Sequence, residues 1–202
     1  MVKGKYCCLN SAEYPIEESW AIELVKYFDE KIPLIENLLK YSKFPQYVRM
    51  FTRMSNCSPG KYDTDKMQFT PNPQNKYSVR RGNKGFLTHE AAHFVQSYGD
   101  IYYRETWAAE AIADYARIAL GWDNIDKKEY PCGKQHFYKE CCRCGADFLI
   151  WVNQNYLDKQ FIIKLNKSLQ DNVAVNLFLK ESLSTTIEDL YLLYSARSKK
   201  FS

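Results

Sequence analysis

Apolar residues recur at intervals of three to four over residues 17–40, where Trp20, Leu24 and Tyr27 or Phe28 fall on one face, and this period predicts a helix. Pro33 sits inside that stretch and, lacking an N–H for the helix ladder, is expected to break it into two pieces. Residues 47–54 alternate in the manner of a half-buried strand, and residues 66–70 (KMQFT) read as a second strand ahead of the Pro71-Asn72-Pro73 break. A loop over residues 74–84 follows. Two helical patterns come next: one carries residues 89–93, and the other, residues 104–120, is rich in alanine, isoleucine and leucine. Gly99 and Asp100 supply a turn between them, which allows the two helices to run antiparallel. Beyond a polar connector at 121–134, three more helices are expected at 138–156, 158–169 and 185–197. The pattern describes an α+β chain, mainly α, with a small sheet and no internal repeat.

The chemistry is concentrated in His89-Glu90-Ala91-Ala92-His93. Residues four apart on a helix lie one turn above each other, so the imidazoles of His89 and His93 project from one face and can share a metal ion. Glu90 is turned about 100° from His89, which places its carboxylate beside that ion rather than on it, where a general base is needed. A catalytic zinc takes three protein ligands and keeps a fourth position for water, whose pKa falls to roughly 7. Glu110 on the second helix is the expected third ligand. Asp114, one turn further along the same face, is expected to accept a hydrogen bond from the non-metal nitrogen of His89 or His93. The bland alternative is an amphipathic helix with two surface histidines. It loses ground because the chain has only 3 histidines and two of them stand in this motif, with Glu110 and Asp114 at helical spacing downstream.

Residues 85–117 (GFLTHEAAHFVQSYGDIYYRETWAAEAIADYAR) resemble the basic secretory protein family, plant and microbial proteins assigned as zinc peptidases. In that family a helix carrying His-Glu-x-x-His-x-x-Gln precedes a Glu-x-Ile-Ala-Asp-Tyr-x-Arg segment. Here those positions are His89, Glu90, His93 and Gln96, then Glu110, Ile112, Ala113, Asp114, Tyr115 and Arg117. Residues 145–151 (GADFLIW) resemble the family's Ala-x-Phe-Leu-x-Trp helix, residues 161–169 (FIIKLNKSL) its Phe-x-x-x-Leu-Asn segment, and residues 187–191 (IEDLY) its closing Val-Asp-Glu-Leu-Trp element. The likeness runs from about Tyr47 onward. It implies a zincin-like domain with an active-site helix, a glutamate helix and a C-terminal helical lobe. It departs from the family at Ala111, where glycine is usual, and at Cys142, where a tyrosine is frequent; Tyr138 stands one helical turn before Cys142. The donor that stabilises an oxyanion is therefore open among Tyr115, Tyr130, His136 and Tyr138, with Tyr115 and Tyr138 put forward.

Length and composition support one domain over residues 1–202, since 202 residues with 46% hydrophobic content can bury a substantial core. Residues 1–46 form its helical N-terminal part and residues 47–202 the region that resembles the family. The net charge of +4 is mild and its basic pairs are scattered, which argues against nucleic acid as a partner. No apolar run reaches the roughly 20 residues of a membrane span. The resemblance implies secretion, whereas residues 1–10 (MVKGKYCCLN) show no apolar signal-peptide core. The count of 7 cysteines is odd, so at least one has no partner within the chain. A structural zinc at Cys132, His136, Cys141 and Cys144 is a lesser reading than disulfides or buried thiols, because these spacings match no familiar zinc module.

These observations predict a monomeric zinc metallopeptidase acting on peptide or protein substrates, with Glu90 as general base and His89, His93 and Glu110 as metal ligands. The strand at 66–70, preceding the active-site helix, is expected to pair with an extended substrate. Two other classes compete with that prediction. One is an inactive zinc-binding protein of the same fold acting in recognition or defence; the other is a helical domain without metal.

Overall fold

Alternation of inward and outward side chains shapes the first strands. In β2 (Cys7–Asn10) Cys7 and Leu9 are buried while Cys8 and Asn10 are half-buried, and in β3 (Val48–Phe51) Val48 and Met50 point inward while Arg49 is exposed. The structure is a computed structural model that describes residues 1–13, 15–40, 47–51, 62–63, 68–69, 85–120, 138–139 and 142–197. β1 (Val2–Lys3), β4 (Tyr62–Asp63) and β5 (Gln68–Phe69) complete a sheet of order β1-β2-β3-β5-β4. The inner pairs β2–β3 and β3–β5 are parallel, and the outer pairs β1–β2 and β4–β5 are antiparallel.

A parallel pair needs a crossover, and α1 (Glu18–Leu39) provides the one between β2 and β3. The helix is continuous through Pro33, so the expected break at that residue does not occur. An internal proline costs about 3 kcal/mol. Ile32, Ile35 and Leu39 flank it and are fully buried, each contributing roughly 1.5–3 kcal/mol, which more than offsets that cost.

Residues 1–46, expected as a helical part, also hold the strands β1 and β2, which form a hairpin. Asp29 of α1 anchors its turn: the Lys5 and Tyr6 amides donate to Asp29 Oδ2 and Oδ1 at 2.7 and 2.8 Å. A Cβ at Gly4 would stand 2.3 Å from Asp29 Oδ2 and 2.5 Å from Val25 Cγ1, so only glycine lets the turn close onto the helix. Cys7 beneath it is a buried free thiol, and burial with Asp29 beside it pushes its pKa up. It behaves as a small apolar core residue.

The chain falls into two compact units, 1–97 with 116–124 and 98–115 with 125–202. In the first, α2 (Gly85–Gln96) packs on α1. Leu87, Ala91, Ala92, Phe94 and Val95 are all buried, so the helix is apolar around most of its circumference, as an enclosed helix must be. Phe94 meets Phe28 edge to face at 6.0 Å, and the hydroxyls of Tyr27 and Thr88 bond at 2.6 Å. Burial pushes the Tyr27 phenol up to about 12 against the lowering effect of that bond, so Tyr27 stays neutral.

The second unit is helical. A short α3 (Ile101–Arg104) precedes the helix expected at 104–120, which begins at Thr106 as α4 (Thr106–Ala119); Glu105 between them, with φ of −121° and ψ of 35°, is not helical. Local bonding favours the break: the Thr106 hydroxyl donates to Tyr102 O at 2.7 Å, and Glu105 O accepts from the amides of Ala108 and Ala109 to start α4. Gly99 supplies the expected turn, with φ of 60°. Farther on come α5 (Cys142–Asn155), a 3-10 turn (Leu157–Lys159), α6 (Phe161–Gln170), α7 (Val175–Leu183) and α8 (Ile187–Arg197). Tyr138 lies in a turn ahead of α5 rather than in the helix expected from 138. Asp158, at φ 52° and ψ 39°, delays α6 to Phe161. α8 starts where Thr186 Oγ1 accepts from the Asp189 amide at 3.2 Å, a side-chain N-cap. The connector at 121–134 lies outside the described residues.

At Gly145 in α5, an added Cβ would meet Ala111 Cβ at 2.8 Å and Tyr138 O at 3.1 Å. Exposed helical glycine normally gains about 1 kcal/mol on change to alanine. Here overpacking reverses the sign: Gly145→Ala should destabilise the protein by about 1–3 kcal/mol, seen as a fall in thermal midpoint of several degrees.

Candidate metal centre

Within α2, His89 and His93 stand one turn apart with ring centroids 4.8 Å from each other and planes at 85°. Their Nε2 atoms are 3.1 Å apart. His93 is buried and His89 half-buried. On its far side His93 Nδ1 lies 2.8 Å from Gln96 Oε1, and Gln96 is itself 1% exposed. With its amide oxygen facing the ring, Gln96 can accept from a protonated Nδ1 of His93, the tautomer that presents an Nε2 lone pair to a metal. Gln96 is thus one partner of the His93 ring. Three residues along a helix is close enough for that contact, which helix geometry alone makes natural.

Thr88 precedes His89, and its bond to Tyr27 of α1 fixes the helix beside that histidine. Glu90 follows and is 9% exposed. On α4, Glu110 is half-buried and Asp114 is buried. The Tyr102 hydroxyl donates to Glu110 Oε1 at 2.7 Å. His89, His93 and Glu110 each offer one ligand atom, and those atoms all lie within 4.8 Å of one another, a group able to hold a metal ion.

The donors fit a metal. In a tetrahedral site with zinc–nitrogen bonds of about 2.0–2.1 Å, neighbouring ligand atoms stand about 3.3 Å apart, near the separation of the two Nε2 atoms. Two imidazoles and one carboxylate form the ligand set of catalytic rather than structural zinc. Imidazole also suits iron, copper and nickel, so donor type alone leaves the identity of the ion open.

The two tyrosines put forward as oxyanion donors differ in setting. Tyr138 is 1% exposed, with its ring 4.6 Å from Trp107, 5.3 Å from Phe148 and 5.1 Å from Tyr191, and its hydroxyl donates to Glu188 Oε1 at 3.3 Å. Burial first, and Glu188 second, push its pKa up. Tyr115 is half-buried on α4, and burial raises its pKa as well. Tyr130 and His136 lie outside the described residues. So do Cys132 and Cys141 of the second candidate metal set; Cys144 is buried in α5.

β5 does not have the edge that substrate pairing requires. Gln68 and Phe69 pair with Arg49 and Met50 of β3 on one side and with Asp63 and Tyr62 of β4 on the other. Both ladders are taken, and the expectation for residues 66–70 is corrected; the outer strand on this side, among the described residues, is β4. Sequence reasoning also missed Tyr102, which stands eight residues before Glu110, about two helical turns away and beyond direct side-chain contact on an unbroken helix.

Comparison of the chain with protein-family models, curated proteins and solved structures found no match. Among the described residues no helix is long and apolar enough to cross a membrane.

Proposed function

We propose that the protein is a zinc-dependent peptidase of the zincin kind. The observation that carries the reading is the His89, His93 and Glu110 cluster, with Glu90 next to the first ligand on a helix whose two imidazoles already converge. The motif likeness to basic secretory proteins agrees with it. His89 and His93 hold the ion through Nε2, with Gln96 fixing the His93 tautomer, and Glu110 supplies the third ligand. A bound zinc ion supplies Lewis acidity, which makes water a nucleophile at neutral pH and polarises a carbonyl.

Glu90 is the proton carrier. Its carboxylate takes a proton from the attacking water and returns it to the leaving amine, so one group serves as base and then as acid. Its burial keeps bulk water from competing for that proton. Tyr138 is committed to Glu188, so of the two tyrosines put forward Tyr115 is the proposed hydrogen-bond donor to the oxyanion; its raised pKa keeps the phenol protonated at neutral pH. The proposed substrate is a peptide chain.

The test is hydrolysis of a mixed peptide library by zinc-loaded protein. The expected result is cleavage that a chelator abolishes and added zinc restores. Zinc bound at one ion per chain without cleavage of any peptide would favour an inactive zinc-binding protein serving recognition.

A further inference from the structure

Glu110 is the only carboxylate in the proposed ligand set, and a carboxylate can present one oxygen or two to a metal. Which it does depends on what engages the other oxygen. Here Oε1 accepts the Tyr102 hydroxyl at 2.7 Å, in the short range of charge-assisted O–H···O⁻ bonds. The contact is built by the backbone. On an unbroken helix residues eight apart are separated by about 12 Å along the axis and by about 80° around it. The break at Glu105, held by the Thr106 hydroxyl on Tyr102 O, removes that constraint and brings the α3 tyrosine to the α4 glutamate.

We propose that Tyr102 is a positioning residue that occupies Oε1 of Glu110 and so holds this glutamate as a single-oxygen metal ligand through Oε2. The inference rests on the metal-centre reading above. A one-oxygen carboxylate keeps the ion at three protein ligands and leaves a position open for water, whereas a two-oxygen grip would fill it. Tyr102 thus acts on the coordination number without touching the ion, as groups bonded to ligating carboxylates do.

The experiment compares the full-length wild type with Tyr102→Phe, which keeps the ring and removes only the hydroxyl. Zinc affinity is measured by competition with a chromophoric chelator, and cobalt(II) substituted for zinc reports coordination number through its visible absorption. The expected results are a 10–100-fold weaker zinc affinity, on the order seen for such outer partners, and a fall in cobalt absorption intensity as Glu110 takes a second position on the ion. In a Glu110→Ala background the same change should leave the residual affinity as it was, because the two side chains act through one bond. An unchanged cobalt spectrum in Tyr102→Phe, or an equal loss of affinity with and without Glu110, would overturn the role of Tyr102. Failure of the wild type to bind either metal would instead remove the metal centre itself.

Discussion

Glu90→Gln is expected to lower peptide hydrolysis about 10²–10⁴-fold, the usual worth of a positioned general base, while zinc remains bound at the wild-type level. The substitution keeps the shape of the side chain and removes its ability to take a proton. Zinc should stay because His89, His93 and Glu110 are untouched. The split between retained metal and lost turnover separates a base from a ligand, and turnover together with metal content measures it. A fully active Glu90→Gln protein would refute the assigned role, however well the metal bound.

His93→Ala is expected to remove both metal and turnover, because the imidazole that Gln96 holds in register is lost with it. This change has a second consequence that Glu90→Gln lacks. Gln96 is buried, and its Oε1 would lose the hydrogen bond to His93, which costs about 0.5–1.5 kcal/mol on top of the cavity left behind. His93→Ala should therefore melt at lower temperature than the wild type even without metal. Thermal unfolding of both chelated proteins isolates that part of the effect.

The candidate site was legible in the sequence to the extent that it follows from helix period. His89 and His93 share a face because they are four residues apart, and Glu110 belongs to a stretch whose apolar residues recur with the same period. What the sequence did not disclose are contacts fixed by breaks in regular structure. Tyr102 reaches Glu110 only because the chain leaves the helical conformation at Glu105, and no residue type near Glu105 is a strong helix breaker. Pro33 shows the converse: a strong breaker was overruled by the burial of Ile32, Ile35 and Leu39.

The same division runs through the rest of the fold. α1, α5 and α6 carry clear apolar periods and were expected, with errors at their ends. α7 was missed although its apolar residues recur at helical spacing; it is only nine residues long, and of these only Val175 and Leu179 are buried. The β1–β2 hairpin was missed because its strands are short and its order comes from Asp29, more than twenty residues away in the chain. β5 was recognised as a strand, but its place between β3 and β4 depends on pairings that no local pattern encodes.

Elemental analysis of metal in protein purified without chelator or affinity nickel, for the wild type and for Glu110→Ala, tests the central claim most directly. The account predicts about one zinc per wild-type chain and its loss in Glu110→Ala. No zinc in the wild type, or zinc undiminished by the substitution, would contradict the assignment of His89, His93 and Glu110 as the metal centre.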